Sequence, residues 1–295
     1  MSINQLGGKV AVVTGGASGV GRGMVAAFLA EGMKVVLGDV EAPALDATVA
    51  ELRAGGGDVV GVVTDVADFA SVEALRDATI DAFGAVNVVC NNAGVGAGAA
   101  GQMWDHTVND WRWAIGVNVW GVINGIKAFV PAMLERGEPG HVVNTSSGNG
   151  GVAPLPNTPI YALTKSAVVT LTESLYAQLR QVDAKVSASV LFPGPNVLRT
   201  GLFTSWRNRP PEYVNPGAPA RPRMSIEQFE KDLADRGVVL DYTPVEEVAA
   251  RVVDAIRTDT FWVLPPSERT DEQIKARAES MLTRTNPTYI RELGG

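Results

Sequence analysis

Cysteine is nearly absent from this 295-residue chain, with Cys90 the only one, which excludes an internal disulfide and any multi-cysteine zinc site. Cys90 ends the apolar run 86–90, where a thiol serves as a small packing group. Histidine is scarce as well: His106 and His141 stand apart in sequence, are read as structural, and give no reason to propose a metal. There is no Lys/Arg-rich run and the net charge is −7, so neither nucleic acid nor an anionic membrane is an expected partner. No uninterrupted apolar run is long enough to span a bilayer, and the first residues lack the basic and apolar regions of a signal peptide. The expectation is therefore a cytoplasmic protein. Repeats, low-complexity tracts and Ser/Gly linkers are also missing, so residues 1–295 are expected to form a single domain.

What the chain does have is an alternation of short β-branched runs with longer helical patterns. Strands are predicted at residues 9–13, 34–38, 59–64, 86–90, 141–145, 186–192 and 261–264, with helices at 21–31, 43–54, 71–83, 109–135 and 160–181. Strands separated by helices of this length imply right-handed crossovers and a parallel sheet covered on both faces. The predicted class is α/β, a doubly wound, Rossmann-like parallel sheet of about seven strands. Residues 195–241, rich in Pro and Arg, break the rhythm and are read as a substrate-covering lobe, with 266–295 a C-terminal extension. Ser225–Gln228 and Thr243–Glu246 have the form of capping boxes opening helices, and a further helix is expected at 271–283.

After the first strand comes Thr14-Gly15-Gly16-Ala17-Ser18-Gly19-Val20-Gly21. Glycine lets a pyrophosphate approach the backbone, and the helix behind it presents unpaired N–H groups. Such a turn alone is also the mark of any tight strand–helix connection. Asp39 adds weight, because it ends the second strand 18 residues after Gly21, where a carboxylate can bind the adenosine ribose. A carboxylate there repels a 2′-phosphate, Val40 and Glu41 supply no cation, and Arg22 is read as a surface residue. NAD rather than NADP is the expected cofactor.

Tyr161 and Lys165 occupy i and i+4 at the start of a helix, on one face, 14 residues beyond Ser147 at the end of a sheet strand. A phenol of pKa about 10 is a poor base at neutral pH, and a neighbouring ammonium and a cationic nicotinamide both favour its phenolate. Tyr161 could then pass a proton to or from a substrate oxygen as hydride moves, with Ser147 hydrogen-bonding that oxygen.

These residues, in this order, resemble the short-chain dehydrogenase/reductase family over roughly residues 6 to 265. The loop is similar to the family's T-G-x-x-x-G-x-G, which implies cofactor contacts at Gly15, Ser18, Gly19, Val20 and Gly21. Asp65-Val66 resembles the pair that touches adenine, and Asn91-Asn92-Ala93-Gly94 the N-N-A-G segment, which adds Asn92, Ala93 and Gly94. Asn118 resembles the helix asparagine that holds a water on a proton relay through the lysine. The stretch 143–147 resembles the serine strand, and Tyr161 to Lys165 the Y-x-x-x-K, so the resemblance implies Asn118, Ser147, Tyr161 and Lys165 as catalytic and Tyr161 and Lys165 as cofactor contacts too.

The chain departs from the family pattern in two places. The serine-to-tyrosine interval is one residue longer than common, so loop 148–159 is expected to bulge, and Ser146 stays open as the alternative to Ser147. The stretch 193–200 resembles P-G-x-V-x-T but is two residues longer; Pro193 and Gly194 match, and either Val197 or Thr200 could reach the carboxamide.

Leu155, Pro156, Leu202, Phe203, Trp206 and Tyr213 are candidates for an apolar pocket or for packing the lobe, and Arg199, Arg207 and Arg209 for anion binding or for solvated charge. The wording of 121–125 and 140–145, with the extension, resembles a subgroup acting on bulky aromatic or hydrophobic secondary alcohols. The expected function is hydride transfer between NAD and such an alcohol or ketone. The family's dimers and tetramers imply a homo-oligomer joined through helices 109–135 and 160–181. The alternative is a non-catalytic NAD(H)-binding sensor of the same fold, against which the complete Ser147, Asn118, Tyr161 and Lys165 set argues. A sugar-nucleotide epimerase or dehydratase is the other rival, but its G-x-x-G-x-x-G loop is not seen here.

Overall fold

The computed structural model describes residues 3–96, 102–215, 225–235, 237 and 240–290. Seven parallel strands form one sheet: β1 Val10–Thr14, β2 Lys34–Asp39, β3 Val59–Val63, β4 Val88–Asn91, β5 Gly140–Thr145, β6 Val186–Leu191 and β7 Trp262–Val263. Their spatial order is β3-β2-β1-β4-β5-β6-β7, so the chain reverses direction across the sheet between β1 and β4. In an open α/β sheet that reversal leaves a crevice at the carboxyl ends of the strands.

Helices cover both faces, as the Val-rich strands require. One face carries α1 Gly19–Ala30, α2 Ala42–Ala54 and α8 Val245–Thr258, which share a core with Val13, Leu37 and Phe28. The other carries α3 Phe69–Phe83, α5 Gly121–Arg136 and α6 Pro159–Gln181, packed through Leu75, Phe129 and Leu175 onto Val12, Val36 and Val142. Burying each such side chain is worth about 1.5–3 kcal/mol. The remaining helices are α4 Val108–Ile115, α7 Ile226–Ala234 and α9 Glu268–Thr283.

The predicted single helix at 109–135 is helical throughout but not uniform. A wide, π-type turn at Gly116–Trp120 joins α4 to α5. Its start is fixed by a capping box in which Thr107 Oγ1 accepts from the Asp110 amide at 3.2 Å and Asp110 Oδ2 from the Thr107 amide at 2.8 Å. By length and composition alone this Val108–Arg136 stretch is apolar enough to cross a membrane, although Asp110, Arg112 and Lys127 interrupt it, and a buried core helix meets the same criterion. Half of its most apolar window is buried inside the fold, so the apolarity also serves the core.

The two capping boxes predicted farther on fare differently. Ser225 Oγ accepts from the Gln228 amide at 3.2 Å, but the Gln228 side chain turns to Asp232 at 2.7 Å. Thr243 caps nothing: its hydroxyl accepts from the Asn196 amide at 3.1 Å, and its amide donates to the Val197 carbonyl, tying the segment after β6 to the start of α8. Cys90 is fully buried, and burial pushes its thiol pKa up.

Candidate active site

The crevice begins at Thr14, whose hydroxyl accepts from the Asn92 and Ala93 amides at 2.9 and 3.1 Å while Asn92 Nδ2 donates to the Thr14 carbonyl at 3.0 Å. These bonds staple the ends of β1 and β4. Gly15, at φ +65°, lies so close that a Cβ would stand 3.0 Å from Ala93 Cα. Gly21 packs still tighter, since a Cβ there would fall 2.1 Å from the Gly15 carbonyl oxygen. Ser18 begins α1 in extended conformation without bonding a first-turn amide, so those amides are available to an anion. Asp39 holds the loop from the side: Oδ2 accepts from the Ala17 amide and Oδ1 from the Glu41 amide, both at 3.1 Å. A backbone cradle that admits no side chain, a helix N-terminus and a carboxylate at the next strand's end fit a nicotinamide dinucleotide.

At the other end of the crevice Lys165 is buried, and its Nζ donates to the Thr145 carbonyl at 2.9 Å and sits 5.6 Å from the centre of the Tyr161 ring. Ser146 and Ser147 differ sharply. Both serines line the crevice, but Ser146 Oγ is buried and donates to the Lys165 carbonyl at 2.7 Å, whereas Ser147 Oγ accepts from the Asn149 amide at 3.2 Å and is the hydrogen-bonding neighbour of the Tyr161 phenol. Burial pushes the Tyr161 phenol up to about 12, which the Ser147 bond partly offsets, and pushes Lys165 down to about 8. This reverses the direction expected for the phenol from a neighbouring ammonium: in the chain alone, desolvation is the larger cause.

Asn118 is buried in the wide turn. Its Oδ1 accepts from the Val95 amide at 2.8 Å, and its Nδ2 donates to the Val95 carbonyl and Thr164 Oγ1, both at 3.0 Å. Thr164 donates on to the Tyr161 carbonyl at 2.8 Å. The extra residue between Ser147 and Tyr161 is taken up in an irregular turn at Gly148–Val152, where Gly150 has φ +99° and a Cβ would collide with the Ala162 carbonyl at 2.1 Å.

Most predicted site residues line this crevice: Gly15, Ser18, Gly19, Val20, Asp39, Asp65, Val66, Asn92, Ala93, Gly94, Ser147, Tyr161, Lys165, Pro193, Val197 and Thr200. Gly21, Asn118 and Gly194 do not. Gly21 is a packing glycine, Asn118 acts behind the wall, and the Gly194 carbonyl accepts from Arg251 at 2.7 Å. Thr200 stands against Gly19, while Val197 pairs with Tyr242.

The segment after β6 covers the crevice. Leu202, Phe203, Trp206, Tyr213 and Leu155 line it and Pro156 does not; Phe203 also stacks on Phe229 of α7 at 5.4 Å, so it both lines and packs. None of the three arginines there is free: Arg199 pairs with Glu230, Arg207 with Glu41, and Arg209 with Asp110. Arg22 pairs with Glu51 at the surface.

The sequence left the extension after Leu264 open between a subunit contact and a cover on the pocket mouth; α9 of that extension reaches the crevice. Thr270 and Gln273 line the crevice, and Arg277 Nη1 donates to the Val152 carbonyl at 2.6 Å, fastening the extension to the irregular turn. No local motif announces a contact between residues this far apart in the chain.

Residues 9–210 match the family model described as short chain dehydrogenase. A crystal structure of a short chain dehydrogenase/reductase from Burkholderia phymatum in complex with NAD is 40% identical, with a TM-score of 0.87 covering 97% of this chain and 98% of that one. The 1-deoxy-11-beta-hydroxypentalenate dehydrogenase of Streptomyces arenae is 40% identical over 263 residues, 88% of this chain and 83% of that enzyme. A short chain dehydrogenase from Burkholderia cenocepacia J2315 in complex with NADP is 26% identical, with a TM-score of 0.69 covering 86% and 92%. The parallel sheet, the glycine cradle and these likenesses agree: the chain belongs to the short-chain dehydrogenase family, oxidoreductases that act on CH–OH groups with a nicotinamide dinucleotide.

Proposed function

We propose that this chain moves hydride between NAD and a bulky, largely hydrophobic secondary alcohol or its ketone, with Tyr161 as general acid and base. The observation that carries the proposal is the meeting of Ser147 and Tyr161 in one crevice, with the buried Lys165 one helical turn away and fixed on Thr145. When bound, the dinucleotide supplies the hydride donor or acceptor and, oxidised, a positive charge beside the phenol.

Tyr161, with its pKa pushed up to about 12, holds its proton at neutral pH and can give it to a carbonyl oxygen. In the reverse direction the phenolate, stabilised by the Lys165 ammonium, receives the alcohol proton at the same atom. Ser147 orients the substrate oxygen by hydrogen bonding. Asn118 is a positioning residue, joining Val95 to the Tyr161 turn through Thr164.

The preference for NAD is supported by the Asp39 carboxylate at the end of β2, which lines the crevice and would repel a 2′-phosphate bound beside it. The hydrophobic substrate is supported by Leu155, Trp113, Leu202, Phe203 and Tyr213 along the wall, and by the likeness to an enzyme named for a hydroxylated substrate. In this reading the described residues of 195–241 cover the substrate and those of 266–290 close the mouth beside it, while 216–224, 236, 238–239 and 291–295 lie outside the described residues. Exposed Trp120, Leu134 and Leu163 on the wide turn, α5 and α6 support a homodimer or homotetramer, which light scattering would measure.

The test is Tyr161→Phe. Turnover of secondary alcohols and ketones, followed at the nicotinamide absorbance band, is expected to fall by about 10²–10⁴-fold while NADH binding is retained. Near-normal turnover in this variant would remove the mechanism and favour the sensor alternative.

A further inference from the structure

The Arg207–Glu41 pair differs from the other arginine pairs of the covering segment in where it reaches. Arg199 bonds within the lobe, to α7, and Arg209 bonds α4. Arg207 instead meets Glu41, in the loop between β2 and α2 and two residues beyond Asp39. Arg207 Nε donates to Glu41 Oε2 at 3.1 Å and Nη2 donates to Oε1, a two-edged grip, and Asn208 Nδ2 adds a bond to Oε1 at 2.8 Å. The remaining nitrogen, Nη1, is spent on the Gly201 carbonyl at 3.1 Å and Thr204 Oγ1 at 3.0 Å. Because the Glu41 amide is held by Asp39 Oδ1, the grip is built onto the carboxylate that the proposed function assigns to the ribose. The Arg207 bonds, the largest cause, hold the Glu41 carboxyl below the usual range.

Among the described residues lining the crevice, the other cations lie elsewhere: Lys165 at Tyr161, Arg209 on Asp110, and Arg269 on α9. Arg207 is therefore the one lining cation in contact with the loop after β2. A 2′-phosphate arriving there needs a cation to offset its charge and its loss of water, and arginine offers the two-edged geometry that suits it.

We infer that Glu41 is a specificity-determining residue against 2′-phosphorylated nucleotides, acting by occupying Arg207 and so withholding from the adenosine end of the crevice the cation that NADP would require. Asp39 repels the phosphate directly; Glu41 removes its partner. The inference rests on the NAD preference proposed above.

The experiment measures NADH and NADPH affinities by fluorescence titration for the wild type, Glu41→Gln, Arg207→Gln and the double variant. Glu41→Gln keeps the shape of the side chain and removes its charge. It is expected to shift the affinity ratio toward NADPH by about tenfold. The double variant should lose that gain, and Arg207→Gln alone, which leaves Glu41 unneutralised, should move the ratio further toward NADH. An unchanged ratio in Glu41→Gln, a gain that survives in the double variant, or tighter NADPH binding in Arg207→Gln would overturn the inference. A wild type that binds both nucleotides equally would instead overturn the cofactor reading beneath it.

Discussion

Lys165 Nζ donates to the Thr145 carbonyl oxygen at 2.9 Å, so the amine that serves Tyr161 is hung from the end of β5 rather than left to its own flexible stem. With the ammonium losing its proton near pH 8 because it is buried, its charge is present below that pH and lost above it. Tyr161 remains protonated throughout this range. For ketone reduction, kcat/KM is expected to be level from about pH 6 to 7.5 and to decline above about 8. A profile that stays level to pH 10 would count against a charged Lys165 in the reaction.

Asp39→Ala removes the acceptor for two backbone amides, Ala17 and Glu41, as well as a charge. Both loops it holds line the crevice. Binding of NADH is expected to weaken, stability to fall by about 1–3 kcal/mol, and the preference for NAD over NADP to narrow. A kinetic ratio identical to that of the wild type would remove Asp39 as a selector.

Gly150→Ala meets two obstacles at once, a φ of +99° and a Cβ position 2.1 Å from the Ala162 carbonyl. The clash falls on the first turn of α6, one residue from Tyr161. A loss of about 2–4 kcal/mol in denaturant unfolding is expected, with turnover reduced more than dinucleotide affinity. Wild-type stability would mean that the turn can relax without α6.

His141 lies in the middle of the sheet. Ser189 Oγ donates to the Thr260 carbonyl at 2.6 Å, so in the 2.6 Å contact with His141 the imidazole Nε2 must donate, leaving Nδ1 a bare, buried acceptor without a donor. Burial lowers its pKa from 6.5 to about 4, against a partial opposing pull from Asp259. As pH drops through 6.5 the unfolded chain takes up a proton that the folded chain refuses, and stability falls until about pH 4, by about 3 kcal/mol in total. His141→Gln, which keeps a donor toward Ser189, is expected to flatten that part of the unfolding profile. An equally steep profile would assign the acid sensitivity to other groups.

Local patterns in the sequence carry most of the fold. The Val-rich strands and their spacing predicted each of the seven strands to within a few residues, because strands buried on both faces have little choice of composition. Tyr161, Lys165, Ser147 and the glycine loop were readable for a similar reason, since their spacings are imposed by a single helix or a single strand–turn–helix. What escaped was long-range: the Arg277–Val152 contact, the grip of Arg207 on Glu41, and the use of Thr243 to hold Asn196. Each joins segments whose meeting depends on the whole packed molecule. Thr243 in particular has the form of a cap, yet its hydroxyl accepts from the Asn196 amide instead.

The wide turn at Gly116–Trp120 sets an angular offset. Successive residues of an α-helix advance by about 100°, so one added residue re-aims everything beyond it. Before the turn, Trp113 and Ala114 face Val95 and Ile160; after it, Phe129 and Met133 face the sheet. Removing one residue would let the two halves merge into a uniform helix, yet swing Trp113 out of its cluster or Phe129 off the sheet. The stretch is thus indexed like a gear with one tooth added, tolerant of many exchanges of side chain and intolerant of any change in count.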